Sequence, residues 1–204
     1  IFFRKRLFKL TQDFLQTIKK EKKLTNYCQL IIIAVIPVFV IGFILRPFLE
    51  IIFSSQIIVG VALLITGLLL ITNKLKNNNT GEIKDLNTKK ALFIGLLQGM
   101  AIIPGISRSG ATTTASVWSG LKKEAAFEFS FILSIPAIIG AFIFESFNWQ
   151  SQNINLLAGM AGFVTAFLSG ILALKLFKKV FLKNKIHYFS FYCFLLGFFV
   201  IFLL

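Results

Sequence analysis

The chain has 204 residues, 56% of them hydrophobic, with 25 Phe, eight acids and a formal net charge of +14. Apolar runs approaching twenty residues, with charges confined between them, exclude a soluble module and indicate an all-α, polytopic integral membrane bundle forming one domain over residues 1–204. The cations gather in alternate segments (4–23, 74–90 and 175–185), which is the positive-inside pattern; it places these segments on the cytoplasmic side and excludes nucleic acid as the reason for the charge.

In chain order, Ile1-Phe2-Phe3 runs into Arg4-Lys5-Arg6 without an initial methionine, which reads as the inner end of a membrane helix whose body lies upstream. The sequence is therefore expected to be a piece of a longer protein. Apolar positions at Leu7, Phe8, Leu10, Phe14, Leu15 and Ile18 have helical spacing, which predicts an amphipathic surface helix within the basic segment 1–23. The first complete span is 24–45, kinked at Pro37 and ending at Arg46-Pro47; 48–55 is an outer loop carrying Glu50; 56–72 returns inward to the Asn- and Lys-rich inner loop 73–90.

Lys89 and Lys90 precede the central stretch and Lys122 and Lys123 follow it, so both of its ends belong on the inner side. Residues 91–103 make roughly 20 Å of helix, too short for a hydrocarbon core of about 30 Å. The pattern predicts a re-entrant hairpin over 91–120, broken at Pro104-Gly105, with a second helix from Ser109 to about Gly120. Spans at 124–145, containing Pro136, at 156–174 and at 187–204 complete the bundle, with the third basic cluster between the last two. Cys28 and Cys193 lie in apolar runs and predict no disulfide, and His187, the only histidine, is an interfacial residue beside Tyr188. An echo at an offset of 99 pairs Pro37, Gly60 and Thr66 with Pro136, Gly159 and Thr165, a coincidence common in chains rich in few residue types.

Chemistry concentrates in Pro104–Gly120, where Arg108 is the only charge between Ala91 and Gly120. An arginine at membrane depth costs roughly 2.5–3.5 kcal/mol on insertion scales, so it persists where it faces a polar cavity, a partner or a substrate. Ser107 or Ser109 can cap the helix that runs on through Thr112, and Gly105 and Gly110 let backbone or ligand approach closely. A capped helix start, a guanidinium and several hydroxyls make an anion cradle, with phosphate the natural guest.

At P-G-x-S-R-S-G-x-T, matched by Pro104, Gly105, Ser107, Arg108, Ser109, Gly110 and Thr112, the sequence resembles the second signature of the undecaprenyl-diphosphatase (bacitracin-resistance) family. The flanks Ala91–Gln98, Glu124–Ala126 and Phe129–Pro136 resemble it too, and the likeness in order and hydropathy covers essentially the whole chain. The resemblance implies a hydrolase of the bacterial inner membrane that converts undecaprenyl diphosphate to undecaprenyl phosphate and inorganic phosphate. That reaction recycles the lipid carrier for peptidoglycan synthesis and confers bacitracin resistance.

It also implies an inverted-repeat fold, a site open to the periplasm and an Mg or Ca cofactor. The implied partners are the polyprenyl diphosphate lipid, the membrane and a second copy in a homodimer. By position, Ser107 and Arg108 are the implied catalytic residues, and Gly105, Ser107, Arg108, Ser109, Gly110 and Thr112 the phosphate-binding set. No metal ligand is expected in this sequence. The family's first signature, E-x-x-T-E-F-x-P-x-S-S-x-G-H, has no match here, and Glu50 with Ser54 and Ser55 is only a superficial echo of it. These 204 residues alone are therefore expected to be catalytically impaired. A polyprenyl-phosphate carrier, built on the same kind of broken helix, and an inactive fragment are the competing readings.

Overall fold

The computed structural model describes residues 26–74, 79–146 and 156–203, together with positions 3–4, 8 and 10–12 near the N-terminus. The amphipathic helix expected over 7–18 lies largely outside the described residues. Among them the regular structure is helical: α1 Asn26–Leu45, a 3-10 turn Arg46–Phe48, α2 Leu49–Ser54, α3 Gln56–Thr72, a second 3-10 turn Ile83–Asp85, α4 Thr88–Met100, α5 Arg108–Trp118, α6 Lys123–Ser146, α7 Leu156–Leu182 and α8 Tyr188–Leu203. Asn26–Ser54, Lys123–Ser146 and Leu156–Leu182 are long and apolar enough to cross a membrane. A helix satisfies its own backbone there, which is why such runs of Ile, Leu and Phe take this form. The chain is thus an all-α polytopic membrane protein.

Two expectations need correcting. Residues 48–55 are not a loop: a 3-10 helix whose first turn holds Pro47, where its missing N–H is no loss, leads into α2, and the Ser55 side chain accepts the Ile58 N–H at 3.4 Å to start α3. The helix that begins near 156 does not stop at 174 but continues through Lys175, Lys178 and Lys179 to Leu182, because long cationic side chains extend from a helix end toward water without breaking it.

Helix packing is set by glycines. On α4, a Cβ at Gly95 would come within 2.2 Å of the Ala34 carbonyl oxygen of α1, and one at Gly99 within 2.4 Å of Ile41. α3 and α8 embrace in the same way, Gly60 lying against Ile201 and Gly197, and Gly67 against the Phe194 ring. Contacts then run from α1 to α4, α4 to α5, α5 to α6 and α6 back to α1, a four-helix ring with one continuous apolar interior that includes Leu30, Ala34, Ile94, Ala115, Phe129 and Leu133. α3 closes on α5 from outside the ring, whereas α7 meets α6 near the lysine-rich end of α7, where Phe177 lies 6.2 Å from the Phe127 ring and 5.5 Å from the Phe131 ring.

Candidate functional site

α4 and α5 form an antiparallel pair joined by residues 101–107. Their far ends meet: the space beside Gly120, just past α5, is bounded by the Lys90 ammonium from the start of α4. α4 begins earlier than its apolar run because the Asn87 side chain accepts the Lys90 N–H at 3.0 Å. Its 13 residues span about 20 Å. At the tip Ile102 packs over Gly42, sixteen residues up α1 from Asn26, hence about 24 Å along that helix. The break therefore sits past the middle of α1, toward Arg46 and away from the basic clusters.

One residue of α3 holds this tip. The Thr66 hydroxyl donates to the Gly105 carbonyl at 2.7 Å and accepts the Ser107 N–H at 3.0 Å, so a single buried oxygen ties both sides of the break. Gly105 has φ +100°, and a Cβ there would lie 2.6 Å from the Val59 carbonyl oxygen; backbone angle and close approach both require glycine.

Of the two serines that the sequence offers as a cap, the structure uses Ser107, whose Oγ accepts the Gly110 N–H at 3.1 Å while its carbonyl accepts the Ala111 N–H at 2.8 Å. The helix therefore starts at Arg108, one residue before the expected Ser109. The N–H groups of Arg108 and Ser109 are left without a partner among the described residues, the orphan donors of a helix start. The Ser109 side chain is half-buried beside them.

Arg108 is half-buried and reaches across to α6, where its Nη1 donates to the Ser134 carbonyl at 3.4 Å. The remaining guanidinium N–H groups stay available for an anion. Thr112 lies a turn deeper, donating to the Arg108 carbonyl at 2.9 Å and meeting the Ser130 hydroxyl of α6. Its hydroxyl is thereby occupied in joining α5 to α6. Gly110 is packed against the side chains of Ser107 and Leu70, which fill the space beside it. The structure thus gathers Ser107, Arg108 and Ser109 around the helix start and directs Thr112 into the helix interface.

The other end of the pair is clasped by the Asn-rich segment before α4. Gly81 donates to the Gly120 carbonyl at 3.2 Å and accepts the Lys122 N–H at 2.9 Å, and the Asn79 amide donates to the Val117 carbonyl at 2.5 Å. Asn73, fully buried, donates to the Thr114 hydroxyl. Glu82 pairs with Lys122, and this hydrogen bond raises the lysine above its usual range.

Sequence reading missed Thr66, Ser130 and Ser134, which all contact the 104–112 motif. A signal existed for Thr66, a hydroxyl in the middle of an otherwise apolar helix, but nothing local could say what it would touch. A cavity of about 740 Å³ lies farther along the outer end of α1, lined by Phe43, Ile44, Arg46, Pro47 and Glu50. Among the described residues no group of three or more His, Cys, Asp or Glu side chains could hold a metal ion. The donors around Arg108 are hydroxyls, carbonyls and a guanidinium, a set that does not fit Mg or Ca, which favour carboxylate oxygens.

Comparison with known families matches residues 1–199 to the family described as Bacitracin resistance protein BacA. Among curated proteins, the chain is 38% identical over 207 residues to an undecaprenyl-diphosphatase of Korarchaeum cryptofilum, covering 97% of this chain and 76% of that protein. It is 37% identical to one of Methanococcus maripaludis, covering 90% and 72%, and 41% identical to one of Alkaliphilus metalliredigens, covering 84% and 64%. Bacteria and archaea are both represented among these relatives.

Proposed function

We propose a function from one premise: the chain belongs to the bacitracin resistance protein BacA family. It is a membrane-embedded hydrolase that removes the terminal phosphate of undecaprenyl diphosphate, leaving undecaprenyl phosphate and inorganic phosphate. The observation that carries the reading to particular residues is the start of α5, where the N–H groups of Arg108 and Ser109 are orphaned and Arg108 itself carries a guanidinium with only one long bond, to the Ser134 carbonyl.

The chemistry follows from those groups. The diphosphate's charge is met by the helix start and by Arg108, whose planar fork of donors fits two phosphate oxygens. Negative charge builds on the phosphoryl oxygens as water attacks the terminal phosphorus and the bond to the bridging oxygen breaks, and the same donors stabilise it. The Ser107 Oγ accepts the Gly110 N–H, which serves to hold the cradle's shape. No acid lies between Ala91 and Leu121, so the hairpin supplies charge and orientation, and the water's proton passes to a group outside it. The Mg or Ca ion implied by the resemblance does not fit the donors here.

In this reading the α4–α5 pair is a re-entrant hairpin in a bacterial or archaeal cytoplasmic membrane, its base at the basic inner face and its tip toward the outer side. The position of Ile102 beside Gly42 supports that orientation. The activity returns lipid carrier to cell-wall synthesis, and bacitracin resistance follows from it. A homodimer is part of the same proposal, tested by the protein's mass in detergent.

The test is phosphate release from undecaprenyl diphosphate by full-length protein in detergent. Arg108→Ala should reduce it by about a hundredfold or more, the scale of losing a principal transition-state donor. Activity unaffected by this change would overturn the site, and absence of turnover with retained, Arg108-dependent binding of the lipid would favour a carrier.

A further inference from the structure

The interior of the α1–α4–α5–α6 ring changes character along its length. Toward the basic end Ala91 and Ile94 of α4, Ala115 of α5 and Ala126 of α6 belong to one apolar cluster, and the buried hydroxyls of Ser116 and Ser119 bond back to their own helix. Toward the tip each of three helices turns polar: Arg108 and Thr112 on α5, Ser130 and Ser134 on α6, and Gln98 on α4. Gln98 follows Ala91 and Ile94 at helical spacing, so it lies on the ring-facing side, while Gly95 and Gly99 beside it pack on α1.

Gln98 is 2% exposed, and neither its Oε1 nor its Nε2 has a hydrogen-bond partner among the described residues. Thr112 and Ser130 satisfy each other, and the Ser134 hydroxyl donates to the Phe131 carbonyl of its own helix. A buried amide with both ends unpaired destabilises a fold, and leucine of nearly the same shape would avoid the penalty. Such a residue calls for a partner that arrives in another state. Arg108, the first residue of α5 across the break from the end of α4, has donors to spare, being held in this structure by one long bond to a backbone carbonyl.

We propose that Gln98 is a positioning residue for the site: when the diphosphate binds, its Oε1 accepts an N–H from the Arg108 guanidinium and fixes the plane in which the remaining donors meet the phosphate. The proposal rests on the reading of Arg108 given above. It adds a residue from the opposite arm of the hairpin.

The experiment compares full-length wild type, Gln98→Leu, Arg108→Lys and the double variant, measuring thermal stability and steady-state phosphate release from undecaprenyl diphosphate. Gln98→Leu is expected to keep or raise the melting temperature while lowering kcat/KM about tenfold, the size of one charge-assisted hydrogen bond. In the Arg108→Lys background, where no planar guanidinium remains to be oriented, the same change should lower it by less than about twofold.

A fall in melting temperature for Gln98→Leu would overturn the proposal by showing that the amide already has a structural partner. Unchanged kcat/KM, or equal losses in both backgrounds, would overturn it too. Those outcomes leave the Arg108 reading standing, whereas a wild type without turnover removes that reading itself.

Discussion

α3 and α7 are both apolar helices carrying glycines and a lone central threonine, yet they meet opposite fates. On α3 every such residue is used: Gly60 and Gly67 receive α8, and Thr66 holds the tip of the α4–α5 pair. On α7, Gly159, Gly162 and Gly170 have nothing within 4 Å of where a Cβ would stand, and Thr165 bonds back to its own helix at the Ala161 carbonyl. Hydropathy marks both as apolar and says nothing of partners. What separates them is whether a second element approaches closely enough to use the space a glycine leaves.

The comparison can be strained from its strongest point. Gly105→Ala introduces a side chain at φ +100° and into the Val59 carbonyl of α3. It should cost about 3 kcal/mol or more, combining strain and overpacking, and abolish phosphate release; the melting temperature and a turnover assay check it. Thr66→Val comes next. It preserves shape but leaves the Gly105 carbonyl and the Ser107 N–H unpaired, at about 1–3 kcal/mol with a matching drop in turnover, whereas Thr165→Val on α7 should stay within about 0.5 kcal/mol. If the two threonines respond alike, the contrast between the helices fails.

Smaller again is the glycine test. Gly67→Ala must displace the Phe194 ring, 2.7 Å from the new Cβ, while Gly162→Ala meets open space and should be neutral or slightly stabilising through helix propensity. A loss at Gly162 equal to that at Gly67 would reveal a partner for α7 outside the described residues. The smallest effect belongs to the clasp, which involves neither helix. Lys122 is raised by its hydrogen bond to Glu82, so its contribution is fully present below the ordinary lysine range and is lost only as pH climbs through the raised value. Thermal stability of Glu82→Gln and wild type should therefore differ by the same small amount at every pH from about 6 to 9.

Much of the site was legible in the chain. Arg108 stood out because a charge within an apolar stretch needs a reason, and Pro104-Gly105 announced the break because neither residue continues a helix there. The choice between Ser107 and Ser109 as cap could not be read, since both have the chemistry and only the tie from Thr66, 41 residues away, selects Ser107. The Asn-rich segment 73–90 looked like plain inner loop, but Asn73, Asn79 and Gly81 bind the base of the pair; turn-forming composition does not reveal what a turn is folded against.

The sequence by itself determined the helical membrane class of the protein, and it singled out Arg108 as the one charge in a long apolar stretch. Those follow from transfer free energies and local backbone rules, which act within a few residues. Only the tertiary structure decided that Thr66 holds the tip, that Ser134 receives Arg108, that Thr112 faces a neighbouring helix, and that Gln98 is buried without a partner. Each of these depends on which helix faces which at separations of many residues. Apolar runs of similar composition leave that choice open until small residues and hydrogen bonds settle it.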